Sequence, residues 1–273
     1  MVTFPNAKIN IGLNITSRRD DGYHNIETIM VPIPWCDILE IVPAKGPEST
    51  LTIHGRPVNC PTEKNLVMKA YRAMEKRYNL PAVDIFLHKI IPDGAGLGGG
   101  SADAAFTLSA LNQLFEIGAS DAELADIAST IGADCPFFIY NKPMLATGIG
   151  TDFTPISLDL SGYKILVIKP QVSVPTAQAY SGVTPSQPLT TLCDLIDTPI
   201  TQWQSTIKND FEDSIFPLHP IIKEIKQQII NMGAKYASMS GSGSAVYGIF
   251  ESDKLAEENL PAFEQCDIFV GNL

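Results

Sequence analysis

The chain has 273 residues, of which 45% are hydrophobic and 18% charged, so it can bury a full core as one large domain or two modest ones. Its formal net charge of -11 repels nucleic-acid phosphates and anionic lipid headgroups, which makes both poor partners. No apolar stretch approaches the ~20 residues that cross a bilayer, and the N-terminus lacks an apolar run of signal-peptide length. We therefore expect neither export nor membrane insertion, and any anionic ligand must be held by local donors.

The cysteines are widely scattered, with no C-x-x-C pair and no cysteine–histidine cluster at zinc spacing. Five are present: Cys36, Cys60, Cys135, Cys193 and Cys266. We interpret them as reduced thiols, as expected for a cytoplasmic protein.

The first 90 residues predict strands interrupted by one helix. Short apolar or alternating runs at 7–15, 26–31 and 38–42 predict strands. Apolar residues at spacings of three and four predict a helix over 64–78, and alternation predicts another strand at 83–87.

The rest of the chain mixes helices and strands without strict alternation. Helical periodicity covers 101–114, 121–131 and 219–232, while strand-like runs cover 162–169 and 245–250. This order predicts an α+β fold. We expect two lobes, an N-terminal ATP-binding lobe at 1–160 and a C-terminal lobe at 161–273; the proline-rich stretch 175–199 gives no clear assignment.

A glycine-rich segment lies between the strand at 83–87 and the helix at 101–114. It reads Pro92, Asp93, Gly94, Ala95, Gly96, Leu97, Gly98, Gly99, Gly100, Ser101 and Ala102. Glycines let the backbone approach a phosphate closely, and the following helix start adds unpaired N–H donors and a favourable dipole. The alternative is a flexible turn. We favour it less, because ordering so many glycines costs much conformational entropy.

Two standard nucleotide motifs fail in this segment. Gly94-x-Gly96-x-x-Gly99 matches the dinucleotide fingerprint, but the candidate acidic residue, Glu116, ends a helix rather than the next strand. The Walker pattern fails because Gly100 stands where lysine is needed.

The segment instead resembles the central motif of the GHMP kinase superfamily, and Gly96 to Ala105 is similar to its erythritol-kinase branch in particular. Further similarities run along the chain in order: Pro5 to Leu13 with Asp21 to His24, then Gly132 to Phe138, then Met239 to Ala245. The resemblance thus covers nearly the whole chain and implies the two-lobed GHMP kinase fold.

The resemblance implies two catalytic residues, Asp134 as the base and Lys8 as its cationic partner. The residues agree with it, because Asp134 lies in an apolar stretch where a carboxylate needs a partner, and Lys8 could keep it ionised or contact the γ-phosphate. The alternative for Asp134 is a helix N-cap before Cys135 and Pro136.

The family also implies a clamp for a cytidine group. Tyr23 would stack on the cytosine, His24 would hydrogen-bond its edge, and Thr176 and Tyr180 would supply a hydroxyl and the opposite ring, whereas a plain reading of the Gly-Tyr-His turn is packing. Asn10 would hold the polyol or phosphate of the substrate.

The remaining assignments concern ATP and its metal. By family analogy Asn65 faces the adenine side, although it could equally be an N-cap. Lys89 could neutralise phosphate, yet a lysine that ends a strand is more often a solvated edge charge. Some superfamily members have serines in place of Gly99 and Gly100, one of which holds Mg²⁺, so phosphates and water alone could hold the metal here.

The resemblance therefore implies ATP- and Mg²⁺-dependent phosphorylation of the 2-hydroxyl of a cytidine-diphosphate-linked methylerythritol, in the non-mevalonate route to isoprenoid precursors. We expect a monomer or weak dimer that acts on this small molecule, with neither nucleic acid nor membrane as partner. The alternatives are a GHMP kinase for an aliphatic alcohol such as homoserine or mevalonate, a dinucleotide-dependent oxidoreductase, and a catalytically silent nucleotide-binding module.

Overall fold

A computed structural model describes residues 1–255 and 257–273. The strands are β1 Val2–Thr3, β2 Asn6–Arg18, β3 His24–Cys36, β4 Ile38–Pro43, β5 Thr50–Gly55, β6 Val83–Lys89, β7 Met144–Thr147, β8 Asp152–Pro155, β9 Tyr163–Lys169, β10 Tyr236–Met239, β11 Val246–Glu251 and β12 Asp267–Asn272. The helices are α1 Leu66–Tyr78, α2 Gly99–Leu114, α3 Asp121–Ser129, α4 Cys135–Tyr140, α5 Thr176–Ser181, α6 Leu192–Ile196, α7 Ile200–Thr206, α8 Phe211–Ile215 and α9 Pro220–Asn231, with 3-10 turns at Thr62–Lys64 and Glu257–Phe263. Within these described ranges, none of the helices has the length and apolar character to traverse a lipid bilayer.

The chain divides into two compact units built from alternating stretches. Unit 1 comprises residues 1–7, 35–93 and 98–142, and unit 2 comprises 8–34, 94–97 and 143–273. The two units do not divide the chain at a single point, because β2 and β3 share a sheet with β7 and β8, which come much later in the sequence. The predicted lobes, 1–160 and 161–273, stay a prediction.

Unit 1 packs helices on a four-stranded sheet with the order β1-β4-β6-β5. The alternating burial of Val83, Ile85 and Leu87 turns one face of β6 inward, as the period of two in this strand predicts. These residues join a core with Tyr71 and Met74 of α1. The sheet and helices thereby fix where β6 ends and α2 begins, the two sides of the glycine-rich segment.

Unit 2 contains two further sheets, with the orders β2-β3-β7-β8 and β10-β11-β9-β12. The second is antiparallel throughout, with β9 paired to β11 on one side and β12 on the other. The apolar run of β9 is buried on both faces, which explains why it lacks alternation. Ile225 and Ile229 of α9 pack into the same core, so the predicted amphipathic helix buries the face that its period indicates.

Every predicted strand and helix has a counterpart in the structure, and the α+β fold class is confirmed. The stretch 175–199 is now assigned: it contains α5 and α6. Sequence patterns missed these because helices of five or six residues are too short to display a period.

Candidate active site

In unit 1, α2 begins at a glycine with left-handed backbone conformation. Gly98 is its N-cap with φ 73°, and within the described part of the chain no side chain caps this end. A β-branched residue would resist that φ. The first N–H groups of a 16-residue helix are thus available to an anion, where the helix dipole also favours negative charge.

A cavity of about 260 Å³ adjoins this helix start. It brings together three of the residues predicted to bind ATP, namely Asn65, Asp93 and Gly100. Its other lining residues are Val58, Cys60, Lys64, Leu66, Leu87, Lys89 and Asp103. The cavity is therefore partly apolar with a few polar groups, which is typical of a small-molecule site.

Asn65 combines the two roles that the sequence left open. Its Oδ1 accepts a hydrogen bond from the N–H of Val67 at 2.9 Å, so it is the N-cap of α1. It also lines the cavity, which keeps the prediction that it faces ATP.

The interpretation of Lys89 as a solvated edge charge is wrong. Lys89 is only 2% exposed, and its ammonium lies 2.5 Å from Asp37 Oδ2 and 2.8 Å from Asp103 Oδ2. Burial acts to lower the pKa of Lys89, but the carboxylates of Asp103 and Asp37 raise it further, and the net shift is upward. The chain buries this lysine because two carboxylates are positioned to compensate its charge.

In unit 2, the predicted catalytic lysine contacts the glycine-rich segment directly. Lys8 Nζ donates to the carbonyl oxygen of Gly96 at 2.9 Å and to Asn10 Oδ1 at 2.6 Å. Asn10 Nδ2 in turn donates to Thr28 Oγ1 at 3.0 Å. Lys8 and Asn10 alternate along β2 and are 3% and 2% exposed, so the strand presents two polar side chains in a buried network.

The C-terminal glycine loop, residues 240–245, meets the same segment within unit 2. Ser240 Oγ donates to the carbonyl oxygen of Gly96 at 2.9 Å, and the N–H of Ala245 donates to Ala95 O at 3.1 Å. A Cβ on Gly96 would lie 2.0 Å from Ser240 O, so only glycine fits there. The two glycine loops are thus in backbone contact.

Two buried residues support this arrangement and were missed from the sequence. Asn209 Nδ2 donates to Met239 O and to Gly241 O, each at 2.8 Å. The hydroxyl of Tyr247 donates to Asn10 O at 2.8 Å. The sequence carried no signal for Asn209, because the stretch from Lys208 to Asp213 is mostly polar and does not indicate burial.

The predicted cytidine residues separate into a stacked pair and an exposed ring. His24 and Tyr180 stack with ring centroids 5.0 Å apart and planes inclined by 21°. Tyr23 is 63% exposed, and Thr176 is exposed at the start of α5. The structure therefore brings His24 and Tyr180 together, while the clamp role of all four residues stays a prediction.

Asp134 occupies the N-cap position of α4, as its alternative interpretation predicted, but its side chain makes no capping hydrogen bond to the described residues of that helix. It is half-buried. Lys8 and Asp134 belong to different compact units, and their pairing stays a prediction. Next to it, burial raises the pKa of Cys135 to about 11, so this thiol is not a nucleophile near neutral pH.

Across residues 1–255 and 257–273, no group of three or more His, Cys, Asp or Glu side chains could hold a metal ion. The loop does fit a phosphate chain, because Gly96 leaves no room for a side chain and the start of α2 supplies free donors. Phosphate oxygens would then be the principal ligands of any cation there.

The fold and the paired glycine loops define a small-molecule kinase of the GHMP class. The GHMP kinase N-terminal domain family matches residues 65–142, and the GHMP kinase C-terminal family matches 199–264. Homoserine kinase from Cytophaga hutchinsonii shares the fold, with a TM-score of 0.72 at 19% identity over 98% of this chain and 94% of that one.

More similar proteins narrow the class to one family. The 4-diphosphocytidyl-2-C-methyl-D-erythritol kinase of Parabacteroides distasonis is 51% identical over all of both chains, and that of Azobacteroides pseudotrichonymphae is 52% identical over 92% of this chain and 94% of its own. A crystal structure of 4-(cytidine 5'-diphospho)-2C-methyl-D-erythritol kinase is 31% identical over both full chains, with a TM-score of 0.81. The chain belongs to the 4-diphosphocytidyl-2-C-methyl-D-erythritol kinase family and is an enzyme of that family.

Proposed function

We propose that this enzyme transfers the γ-phosphoryl group of ATP to the 2-hydroxyl of 4-diphosphocytidyl-2-C-methyl-D-erythritol, in the non-mevalonate route to isoprenoid precursors. Beside the full-length similarity, one observation supports it most: the ammonium of Lys8 donates to the carbonyl oxygen of Gly96 at 2.9 Å. A cation therefore lies on the phosphate-type loop, where phosphoryl transfer needs one.

ATP would bind with its phosphates on the glycine-rich segment and its base in the neighbouring cavity. The cavity of about 260 Å³ suits a base rather than a whole nucleotide. Pro92 to Ala102 would contact the phosphates mainly through backbone N–H groups, which explains how a chain with net charge -11 can bind a polyanion. Mg²⁺ would be held by phosphate oxygens and water, and it would neutralise charge on the transferred group.

In the reaction, the 2-hydroxyl oxygen forms a bond to the γ-phosphorus while the bond between that phosphorus and the bridging oxygen of ADP breaks. Asp134 would accept the hydroxyl proton, and Lys8 would stabilise the charge that develops on the phosphoryl oxygens. Asn10, whose side chain bonds to Lys8, would orient the polyol. The products are ADP and the 2-phosphorylated alcohol.

The cytidine end would bind at the aromatic group formed by Tyr23, His24 and Tyr180. The stacked pair of His24 and Tyr180 offers a flat face and imidazole nitrogens, and the exposed ring of Tyr23 offers a second face. An aliphatic alcohol has no use for these rings. This is why we favour the cytidine substrate over homoserine, although homoserine kinase shares the fold.

We also propose that the enzyme is cytoplasmic, which agrees with its five free thiols. We propose further that it is a monomer or a weak dimer.

An assay that couples ADP release to a spectroscopic signal tests the proposal. The panel should contain the cytidine substrate, the same polyol phosphate without cytidine, homoserine and mevalonate. We expect turnover of the cytidine substrate only, and a loss of about two to four decades in kcat for Asp134→Asn, with ATP affinity retained. Turnover of homoserine or mevalonate instead would overturn the substrate, and near-normal kcat in Asp134→Asn would reduce Asp134 to a helix-terminal residue.

A further inference from the structure

Three charged side chains form a buried cluster in unit 1 that the reaction does not use. Asp37, Lys89 and Asp103 are 0%, 2% and 2% exposed. The ammonium of Lys89 lies between Asp37 Oδ2, at 2.5 Å, and Asp103 Oδ2, at 2.8 Å. Fully buried charges are costly even when paired. The cluster therefore requires an explanation beyond stability.

The cluster holds more negative than positive groups, and the two carboxyls differ in how they are satisfied. Asp37 Oδ1 accepts from the N–H groups of Ile90 and Ile91, at 2.5 and 2.8 Å. Asp103 Oδ1 is buried and has no hydrogen-bond partner among the described residues. Burial is the main reason that the pKa of Asp103 rises to about 8, with Lys89 opposing and Asp37 assisting the rise. Of the two carboxyls, Asp103 is thus the one whose surroundings favour the protonated form.

The position of the cluster is more informative than its charge. Lys89 ends β6, Asp37 binds the backbone of the two residues that follow it, and Asp103 lies in the second turn of α2. These elements flank the glycine-rich segment on its two sides. A Cβ on Gly99, the first residue of α2, would lie only 3.3 Å from Lys89 Nζ. A cation beside a helix N-terminus is unfavourable by itself, so the contacts of Lys89 with Asp37 and Asp103 are what hold it there.

We propose that Lys89 is a positioning residue for the nucleotide site, and that its bonds to Asp37 and Asp103 fix the distance between the segment entering the glycine-rich loop and the helix leaving it. Lys89 and Asp103 also line the cavity beside that helix start, so the same bonds set the width of the cavity. This inference rests on the proposed function, that ATP binds there. It differs from phosphate neutralisation, because the ammonium of Lys89 is already engaged by the carboxyl groups of Asp37 and Asp103.

The test removes the carboxyl of Asp103, which connects Lys89 to α2. The charges of Lys89 and Asp37 still compensate each other. Asp103→Ala should fold, because it deletes the surplus buried carboxyl. We expect its KM for ATP to rise about tenfold, while kcat and the KM for the alcohol stay within about twofold. Calorimetric titration with a non-hydrolysable ATP analogue and Mg²⁺ should give the same loss of affinity. Asp103→Leu, which fills the space with an apolar group, should behave alike if the alanine variant is poorly folded.

Two further variants separate positioning from simple packing. Asp103→Asn keeps an oxygen that can accept from Lys89 Nζ, and it should restore most of the affinity for ATP. Asp126→Ala, at an exposed site on α3, is the matched control and should leave both KM values unchanged.

The same measurements separate a failure of the proposed function from a failure of the positioning role. If the wild-type enzyme neither binds the ATP analogue nor releases ADP, the proposed function falls. If the wild-type enzyme is active and a folded Asp103→Ala or Asp103→Leu variant retains its KM for ATP, or if Asp103→Asn is as impaired as they are, then the cluster is only structural and the positioning role is overturned.

Discussion

The two glycine loops of this enzyme are held by different kinds of interaction. In unit 1, ions hold the flanks of the first loop: Lys89 lies between the carboxyls of Asp37 and Asp103. In unit 2, amide and hydroxyl groups hold the C-terminal loop itself, through Asn209 and Ser240. A charged contact beside it lies outside the loop, where Glu212 Oε1 accepts from the N–H of Met239. A buried ion cluster tolerates the loss of its only cation poorly, because the remaining carboxyls lose their compensation. A neutral network loses only the hydrogen bonds concerned.

The difference also determines which loop responds to pH. Asp103 has a raised pKa that lies near the physiological range. Burial raises the pKa of Tyr247 well above its ordinary value of 10, so its hydroxyl keeps its proton there. We therefore expect the flanks of the first loop to respond to pH, and the hydrogen bonds that Asn209 and Tyr247 make in unit 2 to be insensitive to it.

The largest effect should come from removing the cation of the charged cluster. Lys89→Met leaves two buried carboxyls without their ammonium, and we expect a loss of about 3 to 5 kcal/mol in the free energy of unfolding. Urea denaturation measures it, and Lys45→Met, at an exposed site, is the matched control with a change within about 0.5 kcal/mol. If Lys89→Met cost no more than the control, the two loops would not differ in the way described.

Removing the central amide of the neutral network should cost less. Asn209→Leu keeps the approximate volume but leaves the carbonyl oxygens of Met239 and Gly241 without this donor, so we expect a loss of about 1 to 3 kcal/mol. The same urea experiment applies, with Asn231→Leu at the exposed end of α9 as control. A loss as large as that of Lys89→Met would remove the distinction between ionic and neutral support.

A pH series sharpens the comparison. The pKa of Asp103 is about 8 in the folded chain and near 3.8 in the unfolded chain, so the native state holds a proton that the unfolded state releases between those values. Its contribution to stability is therefore complete below about pH 4 and is lost as the pH rises toward 8. Wild-type stability relative to Asp103→Asn should fall on the order of 1 kcal/mol per pH unit in this window. A flat difference would mean that Asp103 is ionised throughout.

The smallest effect should come from a single hydroxyl of the neutral network. Tyr247→Phe preserves the ring and removes the donor to Asn10 O, so we expect a loss of about 0.5 to 1.5 kcal/mol that does not vary between pH 5 and 8. Denaturation at both pH values measures it. A loss that grew with pH would show that the hydrogen bond of Tyr247 depends on a titrating group nearby.

The sequence by itself determined the local elements, because their signals lie within a short window. The apolar run of 162–169 matches β9 to within one residue. Helical periodicity placed α1 and α9 within two residues at each end. The glycine-rich segment could also be recognised from the sequence, because the backbone conformations that it needs depend on its own glycines. These motifs, in order, also indicated the GHMP kinase fold and the family.

Only the tertiary structure decided the partners of the charged and aromatic residues. Lys89 meets a carboxylate 52 positions away, and nothing in its neighbourhood distinguishes it from a solvated lysine at a strand end. His24 stacks on Tyr180, which is also far away in the sequence, and no local pattern pairs the two rings. Asp103 carried a weak signal, because a carboxylate on an alanine-rich helix needs a partner. The sequence did not indicate which residue that partner is. Local patterns report which face of an element is buried, whereas the group that lies against that face depends on how distant segments pack.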